Sequence, residues 1–219
     1  VKKKYLNSLI KIESYLQKQN LYFEAEESAV RLLRSRLEEI IEEDSVEDEA
    51  LKLSAPKELQ DSPIEFALYA DGACKGNPGV GAMAYVMQSR AGEILVEGVE
   101  YESFTTNNKM ELRGVIEGLR ESSRVLTQKG LDSRLLSILV VTDSKYVVEG
   151  MKQWVKGWKA RGWKKADNKT PENLELWQSL DEVKDSFFHV EWMWVKGHAG
   201  HVQNEYCDRK ANDEINRHS

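Results

Sequence analysis

Four carboxylates stand where a mixed sheet could gather them: Asp71, Glu111, Asp143 and Asp208. Asp71 closes "IEFALYADG", which alternates Ile64, Phe66, Leu68 and Ala70 on one side and reads as a strand ended by Asp-Gly. Asp143 ends "LLSILVVTDS", a β-branched run with few charges that suits a sheet interior. Glu111 falls in the first turns of a helix read over "NNKMELRGVIEGLRESSRVL", and Asp208 lies in a last helix, "QNEYCDRKANDEIN". Ligands of open α/β sheets collect beyond the carboxyl ends of strands, which is where Asp71 and Asp143 are expected. Converging carboxylates repel one another unless a hard divalent cation with oxygen ligands joins them. Mg²⁺ binds through few carboxylates, retained waters and substrate phosphate, so the chemistry implied is phosphoryl transfer.

Each residue also has a simpler role open to it. Asp71 before Gly72 can shape a turn, and Asp143-Ser144 is an N-cap pair. Asn108 and Glu111 have capping-box spacing, and Asp208 alone is a solvated helical charge. The four together carry more weight than any one of them.

The elements that must position them follow from periodicity. "NPGVGAMAYVMQSRAGEILVEGVEYESF" reads as two strands around a turn at Arg90–Gly92, helical segments run through Trp154 and Trp177, and "HVEWMWVKG" is a last strand. A strand meander followed by alternating strands and helices gives a mixed α/β sheet with helices on its faces, here expected over residues 63–219. Ahead of it, Leu6, Leu9, Ile10, Ile12 and Leu16, then Ala29, Leu33, Leu37, Ile40 and Ile41, recur at helical steps. They predict a helical hairpin extension over 1–45, joined by an acidic linker over 46–62.

The composition, 41% hydrophobic and 31% charged, is that of a soluble globular chain, and no run is apolar enough for a membrane span. Two cysteines, Cys74 and Cys207, and an N-terminus without an apolar run point to a reducing, cytoplasmic setting rather than secretion; nucleoid-associated use is open. The net charge of −6 hides an asymmetry. Residues 145–170 carry eight basic groups against two acidic ones, interleaved with tryptophans in "WVKGWKARGW". Such a local patch governs contact with nucleic acid more than the global sum does.

The motifs "YADGACKGNPGVGA", "TTNNKMEL", "VTDSKYV", "WVKGWKARGWKKAD" and "WVKGHAGHVQNEYCDRKA" resemble, in order and spacing, those of type 1 ribonuclease H, over residues 64–216. The resemblance implies a five-stranded mixed sheet and an endonuclease that cuts the RNA strand of RNA/DNA hybrids. It implies two Mg²⁺ ions, with Mn²⁺ able to substitute, and products with 5′-phosphate and 3′-hydroxyl ends. By position it makes Asp71, Glu111, Asp143 and Asp208 the metal ligands and His198, in the Gly-rich "KGHAGH" loop, a proton shuttle aiding product release. Cys74, Asn107, Asn108 and Glu111 would face the RNA strand and minor groove. Asn77, Arg90 and Thr106 would form a phosphate pocket for the DNA strand.

The segment "WVKGWKARGW" would be a basic protrusion on the uncut strand. Trp154 is expected to pack the helix down, with Trp158 touching the DNA backbone and Lys159, Arg161 and Lys164 supplying charge. Lys145 departs from the glutamine usual in bacterial relatives and cannot accept a hydrogen bond, so cleavage preference is expected to differ. Two further readings remain open on sequence alone: a related fold that only binds, and a DNA-cutting relative such as a transposase. Residues 1–60 lie outside the resemblance; a homodimer or protein partner for the N-terminal helices is one expectation, a plain helical cap the other.

Overall fold

The computed structural model describes residues 53–218, together with Leu33 and Arg36. The expected hairpin over 1–45, and the dimer or partner contact assigned to it, fall outside the described residues. The chain divides into two compact units, Val1–Lys52 and Leu53–Ser219. The second begins well before Pro63. Residues 53–62, expected as linker, are packed on it, with Pro56 and Leu59 buried.

Five strands and five helices build this unit: β1 (Phe66–Lys75), β2 (Gly79–Ser89), β3 (Ile94–Thr105), α1 (Asn107–Gln128), β4 (Ser137–Thr142), α2 (Lys145–Glu149), α3 (Val155–Ala160), α4 (Leu174–Val183), β5 (His189–Trp194) and α5 (Val202–Arg217). The sheet order is β3-β2-β1-β4-β5. The first three strands are antiparallel, and β4 and β5 run parallel to β1. This is the mixed α/β sheet expected from the pattern.

Position in the sheet explains burial. β1 is central and covered on both faces, so Ala67 and Tyr69 are as buried as Leu68 and Ala70. α1 covers one face: Leu112, Val115, Ile116 and Leu119 join Leu68, Met83 and Val140 in the main core. α5 covers the other, and its buried Cys207 thiol donates to the Tyr69 carbonyl at 3.5 Å. β3, an edge, exposes Glu97 and Glu100, with Glu102 half-buried, a charge pattern that discourages pairing with other chains.

Trp177 of α4 is fully buried and stacks edge-on against Tyr146, Trp154 and Trp158. Its indole N–H donates to the Tyr146 hydroxyl at 3.1 Å. A wider, π-type turn over Gly150–Trp154 joins α2 to α3 and brings Gly150 against the Trp177 ring. A Cβ at Gly150 would lie 2.6 Å from one ring carbon of Trp177. Gly150→Ala is therefore expected to cost about 1–3 kcal/mol by overpacking, read as a lower urea midpoint at unchanged m-value. Helix α3 ends in a Schellman motif: Gly162 N–H bonds Lys159 C=O at 3.1 Å, and Trp163 N–H bonds Trp158 C=O at 2.7 Å. Gly162 takes φ +64° and makes the turn there, whereas Gly157 sits within the helix.

Candidate active site

Asp71 does not end its strand. β1 continues to Lys75, but its parallel pairing with β4 stops at Tyr69–Val141. Asp71 therefore projects just past the end of β4, where Asp143 stands as the first residue after Thr142. Ser144 takes the N-cap role, accepting from Val147 N–H at 3.4 Å, and leaves Asp143 free. Glu111 reaches the same point from the first turns of α1. Its helix is capped from outside: Thr106 is the N-cap residue without a side-chain bond, and Asn77 Oδ1 accepts the Asn107 N–H at 3.1 Å. Asn108 is an exposed first-turn residue, so the capping-box geometry does not form.

Carboxylate oxygens of Asp71, Glu111 and Asp143 lie within 4.8 Å of one another. Asp71 and Glu111 are 5% and 6% exposed. Burial, then the neighbouring Asp143 charge, pushes the Asp71 carboxyl up to about 8, although the Gly72 N–H bonds it at 2.8 Å. Burial and the charges of Asp71 and Asp143 also hold Glu111 well above the ordinary range. One Glu111 oxygen accepts from Asn107 at 3.2 Å; the other, Oε2, is buried and has no hydrogen-bond partner. An orphaned carboxylate oxygen among three acids is a standing cost in a protein interior. An oxygen-only donor set of this kind fits a hard divalent cation, which would bind that oxygen and favour all three charged forms.

Asp208 lies outside this tight group. It stands close enough for its charge to raise Asp71, and its Oδ1 accepts from Asn212, one helical turn on, at 2.9 Å. His198 is 79% exposed at φ +50° in the loop between β5 and α5, with Nδ1 3.8 Å from Asp208 Oδ2. The loop is pressed on the site at Gly197, where a Cβ would lie 3.2 Å from the Asp143 carboxyl carbon. A second brace on Asp143, with no signature in the sequence, is the Trp194 indole N–H, which donates to its carbonyl at 2.9 Å. Lys145 Nζ caps the same indole face, 4.8 Å from the ring centroid.

Of the expected substrate contacts, Asn77, Thr106, Asn107 and Asn108 form one rim beside Glu111, with Cys74 Sγ bonded to the Thr105 carbonyl at 3.5 Å. Two expectations are corrected. Arg90 lies past the far end of β2 from Asn77. It bonds the Ser62 and Ile64 carbonyls and pairs with Glu65 at 3.0 Å, so it is no part of a pocket with Asn77 and Thr106. Trp158 is only 9% exposed and packs on Trp154 and Trp177, so it is a core residue. Lys159 is exposed on α3 and pairs with Asp181 of α4 at 2.7 Å. Arg161, the C-cap of α3, and Lys164 remain exposed, as do Lys152 and Lys156 along the helical run.

The family model described as RNase H matches residues 64–216. The chain belongs to the ribonuclease H family. Among curated relatives, the Ribonuclease H of Ralstonia nicotianae is 47% identical over 151 residues, 69% of this chain and 91% of that protein. The crystal structure of LC9-RNase H1, a type 1 RNase H with the type 2 active-site motif, is 36% identical with a TM-score of 0.58, covering 73% of this chain and 76% of that one. LC11-RNase H1, solved in complex with an RNA/DNA hybrid, shares the fold at a TM-score of 0.54 and 20% identity, covering 70% of this chain and 99% of that one. The enzyme class is that of ribonuclease H, and the four acids lie within the matched span. Among the described residues, no helix of this family member is long and apolar enough to cross a membrane.

Proposed function

We propose that this protein is an endonuclease that hydrolyses the RNA strand of RNA/DNA hybrids with two divalent ions, Mg²⁺ by preference, leaving 5′-phosphate and 3′-hydroxyl ends. The observation that carries the reading is the nest of Asp71, Glu111 and Asp143, with its unpartnered buried oxygen, in a chain of the ribonuclease H family. Asp71, Glu111, Asp143 and Asp208 would hold the ions. Bound there, divalent ions supply an activated water and charge stabilisation at the leaving oxygen.

The chain's own residues do the rest by placement. Burial keeps Asp71 and Glu111 fixed, with Asp143 half-buried beside them, so little reorganisation is needed as charge develops. His198, exposed beside Asp208, can accept or release a proton as product departs. Cys74, Asn108 and Glu111 would face the RNA strand, where the 2′-hydroxyl marks RNA, with Asn107 at the neighbouring minor groove. Asn77 and Thr106, beside the N-terminus of α1, would hold a DNA phosphate without Arg90. Lys145 lies over Trp194 beside Asp143 and reaches the substrate as a cation only.

The deciding experiment compares cleavage of a labelled hybrid with matched dsRNA, dsDNA and single strands, with Mg²⁺ and with chelator. Hybrid-only, metal-dependent cleavage giving 3′-hydroxyl ends is expected. Equal cleavage of dsRNA, or turnover in chelator, would overturn the reading.

Exposed Arg161 and Lys164 would grip the uncut strand. Replacing both with Ala should flatten the plot of log affinity against log salt by about one to two units of slope, measured by fluorescence anisotropy in Ca²⁺. An unchanged slope would remove this segment from the interface.

A further inference from the structure

The chain enters the domain along a strap, residues 53–62, that is tied to the far end of the sequence. Gln203, in the first turn of α5, donates to the Ser54 carbonyl at 2.8 Å and to Gln88 Oε1 at 3.1 Å. Leu59 is fully buried. Between them, Glu58 meets His201, with Nε2 2.7 Å from Oε1, and Tyr69, whose hydroxyl donates to Oε2 at 2.9 Å. Glu58 and His201 side chains are 15% and 17% exposed, so the pair is largely withdrawn from water. The His201 bond holds the Glu58 carboxyl down to about 2.

His201 is the residue at which the His198 loop becomes α5. Its Nδ1 accepts the Asn204 N–H at 3.4 Å as the side-chain N-cap of the helix that carries Asp208. An imidazole nitrogen accepts only when it bears no proton. Nδ1 can therefore cap the helix only if the ring proton sits on Nε2, which is the nitrogen that faces Glu58. The carboxylate, an acceptor on that side, selects this tautomer. One residue earlier, Gly200 N–H is held by Glu205 Oε1 at 2.7 Å, which fixes the same corner from the helix side.

We propose that Glu58 is a positioning residue for hybrid cleavage. Through His201 it fixes the start of α5 and the end of the 195–200 loop, and with them the relation of His198 and Asp208 to the other acids. The inference rests on the proposed function and deepens it, since it places a determinant of that site in the segment ahead of β1. Glu58 touches neither substrate nor metal.

The test uses the full chain with Glu58→Ala and Glu58→Gln. Glu58→Ala should lower kcat on the hybrid about tenfold with KM changed less than about twofold. Glu58→Gln, which keeps an oxygen toward Nε2 and turns its NH₂ toward the Tyr69 hydroxyl, should restore most of kcat. Side-chain ¹H–¹⁵N correlation spectra, which need no substrate, should show wild-type His201 as the Nε2–H tautomer and a mixed or inverted tautomer in Glu58→Ala. A wild-type Nδ1–H tautomer would overturn the proposal. So would a folded Glu58→Ala with wild-type kcat, or a Glu58→Gln no better than Ala. If the wild-type chain does not cleave hybrids, the cleavage reading fails alone; the tautomer spectra still decide whether Glu58 sets His201.

Discussion

Asp71→Asn is expected to abolish hybrid cleavage, by about three orders of magnitude or more, and at the same time to stabilise the metal-free protein at pH 8. The two effects share one cause. Asp71 is buried against Asp143 and within reach of Asp208, and its carboxyl is raised to about 8. A carboxyl whose folded pKa exceeds its unfolded value binds more protons when folded. The metal-free fold is then most stable at low pH, and it loses stability as pH rises from about 4 towards 8. Asparagine removes the charge and keeps the oxygen that accepts from Gly72 N–H. A gain of roughly 2 kcal/mol in chelator at pH 8, shrinking towards pH 5, is the expected sign. For the wild type the companion result is a Tm that Mg²⁺ raises more at pH 8 than at pH 5. Measurable turnover by Asp71→Asn, or a metal-free Tm lower than wild type at pH 8, would detach Asp71 from the role argued above.

Much of this arrangement was legible because periodicity and strand-end position are local properties. Alternation in "IEFALYADG", the charge-poor "ILVVT" run and the 3.6-residue steps after "TTNN" mark β1, β4 and α1 directly. Asp71 and Glu111 belong to those elements and Asp143 directly follows β4, so the meeting of these three followed once the sheet was drawn. What escaped the sequence depended on partners far away in the chain. Asp71-Gly72, which lies inside β1, looked like a turn because the reason for Gly72, close passage of α1, lies across the fold. Trp158 looked available for DNA because Trp177, which buries it, is on another helix. Glu58 and His201 are separated by 143 residues and belong to no shared motif. Arg90 is a different case. Eleven residues of β2 at about 3.3 Å each span about 35 Å, so strand geometry alone separates it from Asn77.

Gly72→Ala should lower both stability and activity, and the ratio of the two losses reports how rigidly the sheet holds the site. A Cβ at this position would lie 2.6 Å from the Met110 carbonyl carbon and 2.8 Å from the Met110 Cβ, with the Glu111 backbone nitrogen also in its way. These are mostly backbone atoms in the first turns of a 22-residue helix, which no rotamer change can move aside. The helix must shift off β1 or the strand must bend. Overpacking of this kind is expected to cost about 3 kcal/mol, seen as a lower urea midpoint. Glu111 is the next residue on that helix and Asp71 the preceding one on the strand, so the same shift widens the carboxylate nest. A displacement near 1 Å at reacting groups lowers rate by about a hundredfold. Activity measured well below the unfolding temperature should therefore fall by that order, with the Mg²⁺ concentration for half-maximal rate increased. Asp71→Asn separates charge from geometry by changing only the first. Gly72→Ala changes only the second, and loss of stability with unchanged metal dependence would mean that α1 can move without carrying Glu111 out of place.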